Sequence, residues 1–391
     1  MSDITVIQGG KVVFPDKVQK KDIIIKNGII ECTDQIGELP AGAEIIDAHN
    51  NYVAPGFVEI HIHGGGGCDF MDCTDKAFEK ISEIHRKHGI TSMLPTAVSC
   101  GVDELTNLFD VYRRVINKET KTRFLGIHLE GPFISDKMRG AQNPKYIRKP
   151  SEYETDKLIE CGGDIIKMCT AAPELNGIEY MAKTMQKHNI TLSIGHSNGI
   201  FGDVEKAMQM GFRHITHLYS NTPGIRKINQ TVYAGIPEAA YYFDEMHIEL
   251  IGDGHHVPAE VLRLALKIKG ANKINITSDA MRAAGTNVKE SYLGKVKPEN
   301  RVIIEDGVAK LPDRSYFAGS IATGDVMLKW LVNKCKISIC DAVKMLSLSP
   351  ASIIGEDKKI GSIEKGKLAD ILLIDENLDV KKVIIGQKNV S

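Results

Sequence analysis

Six ionisable residues stand where short apolar runs of this chain end: His61, His63, Glu130, His196, His217 and Asp279. One residue separates His61 from His63, so on an extended strand both imidazoles face the same way and can reach one ion together. Two polar side chains near a turn would give the same pair. Here, however, Pro55-Gly56-Phe57 leads into it and Gly64-Gly65-Gly66-Gly67 follows, a backbone able to bend tightly beside a cation or substrate. Glu130 lies in His128-Leu129-Glu130-Gly131-Pro132-Phe133, where glycine and proline end the strand and leave the carboxylate at its tip. A helix cap or rim salt bridge is its alternative use. His196 and His217 close two consecutive runs, 191–196 and 214–217, where a satisfied core histidine is the ordinary alternative. With Glu130 they make the nitrogen, nitrogen, oxygen set of catalytic zinc sites, which leave one position open for water. Asp279 is the candidate general base, because an aspartate beside a cation stays ionised and can take a proton from water that the cation has polarised. Its other role would be a fourth ligand. In Asp253-Gly254-His255-His256-Val257, either histidine could donate to a carbonyl oxygen as it gains negative charge.

These residues need a frame that brings distant stretches together, and the apolar pattern supplies one. Eight short runs, 57–63, 90–95, 124–130, 165–170, 191–196, 214–217, 247–251 and 274–279, alternate with amphipathic stretches. The latter predict helices over 75–88, 103–117, 177–188, 203–210, 258–269, 324–334 and 340–346. Alternation of this kind implies βαβ units, and eight strands close a (β/α)8 TIM barrel whose active sites form at the carboxyl ends of the strands. Asp306-Gly307, between apolar runs at 302–305 and 308–311, marks an inserted hairpin. Short β runs flank the barrel at 4–7, 11–14, 22–26, 29–33 and 44–47, with a hairpin signal at Asn27-Gly28, and at 369–374 and 382–385. The expected architecture is α/β: a small β-sandwich domain formed from both termini, 1–54 and 358–391, around a catalytic barrel over 55–357.

Composition narrows the class. The 391 residues carry 49 Lys plus Arg against 50 Asp plus Glu with no long run of one sign, so neither nucleic acid nor an anionic membrane is an expected partner. The N-terminal residues show no basic stretch or apolar core of a signal peptide, and no apolar segment reaches the roughly 18 residues of a membrane span, giving a cytoplasmic expectation. Eight cysteines include no CxxC pair; Cys68 and Cys73, or Cys335 and Cys340, lack zinc-knuckle spacing and read as reduced, buried thiols, although Cys68 follows the glycine run near the metal candidates.

The motifs resemble those of the amidohydrolase superfamily and, within it, the N-acetylglucosamine-6-phosphate deacetylase family. The matching segments are 55–64, 128–133, Gly140-Ala141-Gln142-Asn143-Pro144, Gly195-His196-Ser197, Thr216-His217-Leu218, 253–257, Ser278-Asp279-Ala280-Met281-Arg282 and Ala318-Gly319-Ser320, with 361–370 resembling the superfamily's C-terminal β segment. The resemblance covers nearly the whole chain in family order. It implies a divalent metal, zinc or iron, with Glu130, His196 and His217 as principal ligands, Asp279 as acid and base, and His256 polarising the substrate. His61 and His63 leave room for a second ion, so one or two per subunit. A phosphorylated amino sugar is the implied substrate, contacted by Gln142, Ser220, Asn221, Arg226, His256, Ala318 and Gly319, and a homodimer the implied assembly. Two stretches depart from the family pattern. Members continue His-Leu-x-Asn-Ala-Met with a phosphate-gripping arginine further on, whereas here 217–227 places Asn221 one residue late and Arg226 slightly early; and Glu59 stands where Asp is common. Alternatives are a different N-acyl substrate, such as an N-acetylgalactosamine phosphate, an acylated amino acid or a cyclic amide, or a barrel without catalysis, against which the complete ligand set argues.

Overall fold

The computed structural model describes residues 4–35, 37–116, 118 and 121–386. Eight parallel strands pair in chain order: Phe57–Ile62, Ile90–Ala97, Ile127–Glu130, Ile166–Ala171, Thr191–Ile194, His214–Ile215, His247–Ile251 and Ile274–Thr277. They are the eight runs expected. The first two are buried along their whole length, their polar residues Glu59, His61, Thr91, Ser92 and Thr96 included. The third is interrupted, with Arg123–Phe124 pairing separately with the second strand before Gly126 turns the chain at φ +135°.

The seam between the eighth strand and the first is held largely by side chains, which leaves the barrel nearly closed. Glu59 accepts from Ser278 N at 2.9 Å and from His61 N at 3.2 Å, and the Thr277 hydroxyl sits between the Glu59 carboxylate and the His61 carbonyl. Past the strand ends, His63 N and Gly64 N both donate to Ala280 O at 2.9 Å. Complete burial pushes the Glu59 carboxyl up to about 7, against these hydrogen bonds.

Helices fill the crossovers. The expected helices appear at Asp75–Lys87, Val102–Val115, Ile178–Lys187, Phe201–Gln209, Ala259–Lys269, Gly324–Lys329 and Ile339–Leu346, the sixth continuing as a π turn through Trp330–Lys334; residue 117 lies outside the described residues. Helices at Glu152–Gly162, Ile236–Tyr242 and Leu348–Ile353 were not anticipated. The Asp306-Gly307 hairpin pairs Arg301–Glu305 with Val308–Lys310 and gains a third strand, Glu290–Tyr292.

Both ends of the chain meet in one seven-stranded sheet. Ile4–Val13 is a single bulged strand that pairs with Val18–Lys26 on one edge and, on the other, with both Glu44–Asp47 and Tyr52–Pro55. Ile29–Asp34 extends one side. On the other, Ile371–Ile374 pairs antiparallel with Tyr52–Pro55 and carries Val380–Ile384. Asn27 and Gly28 both take positive φ, the turn that dipeptide announced. A core containing Ile7, Val12, Ile23, Ile30, Val53 and Ile371 lies under this sheet, apart from the barrel's own. Arg123 ties the two together, donating to Asp370 Oδ1 at 3.2 Å and to Gly386 O at 2.6 Å. Residues 1–3 and 387–391 of the expected terminal domain lie outside the described residues.

Candidate metal centre and active site

His196, His217 and Asp279 each fall two residues beyond the strand they follow, and each takes a left-handed backbone conformation, at φ +47°, +30° and +47°. That region costs a side-chain-bearing residue about 1–3 kcal/mol and persists where the surroundings over-determine it. At these three positions the strand stops and its last polar side chain turns over the barrel mouth.

The result is two groups of ligand atoms, each within 4.8 Å of one another: Glu130, His196 and His217; and His61, His63 and Asp279. Glu130 stands between them. Its Oε1 is 2.9 Å from His217 Nε2, 3.0 Å from His196 Nε2 and 3.5 Å from His61 Nε2, while its Oε2 is 3.3 Å from His63 Nε2. Asp279 Oδ1 lies 3.2 Å from His63 Nε2 and 3.6 Å from His61 Nε2. Burial raises both carboxyl pKa values, but the surrounding imidazoles outweigh it and hold Glu130 well below the usual range and Asp279 below it.

All four imidazoles turn Nε2 inward, and each Nδ1 is spent elsewhere. His63 gives Nδ1 to Thr96 O, His196 to Met138 O, His217 to Ser220 O and His61 to the Glu249 carboxylate. An Nδ1–H donor leaves Nε2 with a lone pair, the tautomer a metal requires. Inward-facing lone pairs beside ionised carboxylates repel one another, and His61 Nε2 is buried with no hydrogen-bond partner. Four imidazole nitrogens and two carboxylates, gathered in two adjoining groups of three, fit divalent cations, and the mixed nitrogen and oxygen set suits zinc or iron better than calcium or magnesium.

The cluster floors a cavity of about 480 Å³. Gln142, Ser220, Asn221, His256 and Gly319, all expected at the substrate, line it. Gln142 has little left for a substrate: Nε2 donates to Glu130 Oε2 at 2.6 Å and Oε1 accepts from Ser99 N at 2.8 Å. His256 places Nδ1 2.7 Å from Asp253 Oδ2, leaving Nε2 unspent. His255 points away toward Gly307. Ala318 is buried behind Gly319 and does not reach the lining. Arg226 does not reach it either. It opens an unexpected hairpin, Arg226–Ile228 with Thr231–Tyr233, and its guanidinium folds back onto the carbonyls of Asn198, Gly199 and Gly224. The permanent positive charge on the cavity wall is instead Arg314, in a segment 314–317 delivered by the Asp306-Gly307 hairpin and bonded to Glu305 at 2.7 and 3.0 Å. Arg314 precedes Ala318-Gly319 in the sequence, which was the available signal. Glu249 was also missed, although a lone carboxylate inside His247–Ile251 marks a strand that faces a polar interior.

A parallel barrel with carboxylate and imidazole ligands gathered at its strand ends defines a barrel hydrolase of the type that binds divalent metal. Comparison with known proteins agrees. Residues 52–390 match the amidohydrolase family. Over 94% of its length the chain is 31% identical to the N-acetylglucosamine-6-phosphate deacetylase of Haemophilus influenzae, covering 93% of it. The crystal structure of that enzyme from Pasteurella multocida superposes with a TM-score of 0.91 at 26% identity, over 98% of this chain and 99% of that one. An N-acetylgalactosamine-6-phosphate deacetylase of Escherichia coli O157:H7 is 26% identical over 92% of each chain. The chain belongs to the amidohydrolase family and, within it, to the N-acetylglucosamine-6-phosphate deacetylase family.

Proposed function

We propose that this chain hydrolyses the N-acetyl group of N-acetylglucosamine 6-phosphate, giving glucosamine 6-phosphate and acetate. One observation carries the reading: Glu130 stands between two imidazole clusters on the floor of a cavity that His256 and Asp279 also line. Glu130, His196 and His217 would hold one divalent ion, zinc or iron, and His61, His63 and Asp279 a second. A divalent cation there supplies a Lewis acid toward the amide carbonyl and lowers the pKa of water. Asp279 accepts the proton of the attacking water on its carboxylate and passes it to the amine nitrogen as the carbon–nitrogen bond breaks. His256, with Nδ1 held by Asp253, donates from Nε2 to the carbonyl oxygen when its ring is protonated. Gln142 holds Glu130 in register, Ser220, Asn221 and Gly319 face the sugar, and the phosphate meets Arg314 rather than Arg226, which does not line the cavity.

The wider proposals have their own supports. Residues 1–54 with 358–391 would form one domain and 55–357 the other, supported by the core that lies wholly within the terminal segments. A homodimer would cover Ile225, Ile228 and Val232, exposed on the Arg226 hairpin. All eight cysteines are unpaired, which suits a reducing cytoplasm.

The test is acetate release from N-acetylglucosamine 6-phosphate, N-acetylgalactosamine 6-phosphate and unphosphorylated N-acetylglucosamine, with the metal-loaded protein. The first should turn over fastest. Release from the unphosphorylated sugar at the same kcat/KM would refute the phosphate part, and no release from any would refute the whole. A preference for the galacto sugar, the substrate named for one relative, would move the assignment there.

A further inference from the structure

Glu249 sits midway along the seventh strand, fully buried, and the chemistry above makes no use of it. Its Oε1 is 2.8 Å from His61 Nδ1 and also accepts the His217 backbone N–H at 3.1 Å; its Oε2 accepts from Asn275 Nδ2 at 3.0 Å. One carboxylate therefore touches a member of each ligand cluster. Among the described residues its ion-pair partner is His61, not a lysine or arginine.

His61 is unlike the other three imidazoles. Those give Nδ1–H to neutral backbone carbonyls; His61 gives it to a charge. A charge-assisted hydrogen bond is roughly twice as strong as a neutral one, and a carboxylate behind an imidazole raises the basicity of the far nitrogen. A buried carboxylate is costly without a compensating cation, and here compensation passes through the His61 ring. At the far side, His61 Nε2 has no hydrogen-bond partner and faces Glu130 Oε1 at 3.5 Å and Asp279 Oδ1 at 3.6 Å. His61 Nε2 is thus free to serve as a ligand of the subsite it would form with His63 and Asp279.

We propose that Glu249 is a positioning residue that sets the affinity of the His61, His63 and Asp279 subsite for its ion while leaving the Glu130, His196 and His217 subsite nearly unchanged. This rests on the two-ion reading above.

Glu249→Gln isolates the charge. The glutamine oxygen can still accept from both His61 Nδ1 and His217 N, since one carboxylate oxygen now takes both. Asn275 can rotate its amide to accept from the new NH2, because its own Oδ1 has no partner. The full chain, stripped of metal, is titrated with zinc alone against a competing chelator, and metal-free melting curves check that variant and wild type are equally folded. Wild type should take two zinc ions per chain. Glu249→Gln should keep one at wild-type affinity and bind the other about 10–100-fold more weakly. Glu249→Asp, which keeps the charge with a shorter reach, should recover part of that loss. Two zinc ions at wild-type affinity in Glu249→Gln, equal weakening of both ions, or no recovery in Glu249→Asp would each overturn the role given to Glu249. A wild type that takes fewer than two zinc ions would overturn the two-ion reading itself, and the role of Glu249 with it.

Discussion

Replacing Asp279 by Asn separates proton transfer from folding more cleanly than any other change in the site. Asp279 has φ +47°, a conformation that Asn and Asp tolerate far better than other side-chain-bearing residues, so the backbone strain is unchanged. The substitution is isosteric, and the Asp279 side chain is only 10% exposed, so packing is preserved as well. What disappears is a proton acceptor 3.2 Å from His63 Nε2 and 3.6 Å from His61 Nε2, and with it the anionic ligand of the His61, His63 and Asp279 subsite. A positioned general base contributes about 10²–10⁴-fold, which at 1.36 kcal/mol per decade is about 3–5 kcal/mol of transition-state stabilisation. Because the proton moves only as the reaction proceeds, kcat should fall by that factor with KM little changed. The assay is acetate release at saturating sugar phosphate and zinc, with zinc retained at Glu130, His196 and His217 checked by elemental analysis. Activity within tenfold of wild type, with that zinc in place, would refute the assignment of Asp279 as the base.

Glu130→Gln removes a ligand of one cluster whose carboxylate also lies within 3.5 Å of His61 and His63, and should lower zinc binding at both by more than about 100-fold, seen in the same chelator titration. Gly319→Ala places a Cβ 2.9 Å from Asp279 O at a φ of +71°; a loss of at least about 1 kcal/mol in urea unfolding, together with reduced kcat, is expected. Arg314→Ala should raise KM for the phosphorylated sugar about tenfold and leave the unphosphorylated sugar alone, whereas the reverse ranking with Arg226→Ala would return the phosphate to Arg226. Prolonged dialysis against a chelator should abolish acetate release, and added zinc or iron(II) should restore it; activity that survives metal removal verified by elemental analysis would refute the metal assignment.

The barrel was legible because parallel strands buried on both faces leave continuous apolar runs, and because its ligands stand where those runs stop. His61 and His63, Glu130, His196, His217 and Asp279 needed only their positions relative to eight such runs. Glu249 needed more, since its meaning depends on His61, 188 residues away, and a sequence shows the carboxylate without the ring it meets. Arg226 was placed at the substrate by the family resemblance, but a hairpin and three backbone carbonyls decide where its side chain goes. The helix Glu152–Gly162 was capped by Ser151, a readable signal, yet buries so few apolar residues that its periodicity is faint.

The sheet that joins the two ends of the chain has a consequence for synthesis. Tyr52–Pro55 is made early and cannot meet Ile371–Ile374 until some 320 residues later, roughly 15–60 s at ordinary elongation rates. During that interval one edge of the N-terminal sheet stands open as a template for any passing strand. The nascent chain therefore carries this hazard of misassociation from the time Tyr52–Pro55 folds until Ile371–Ile374 arrives to cover it.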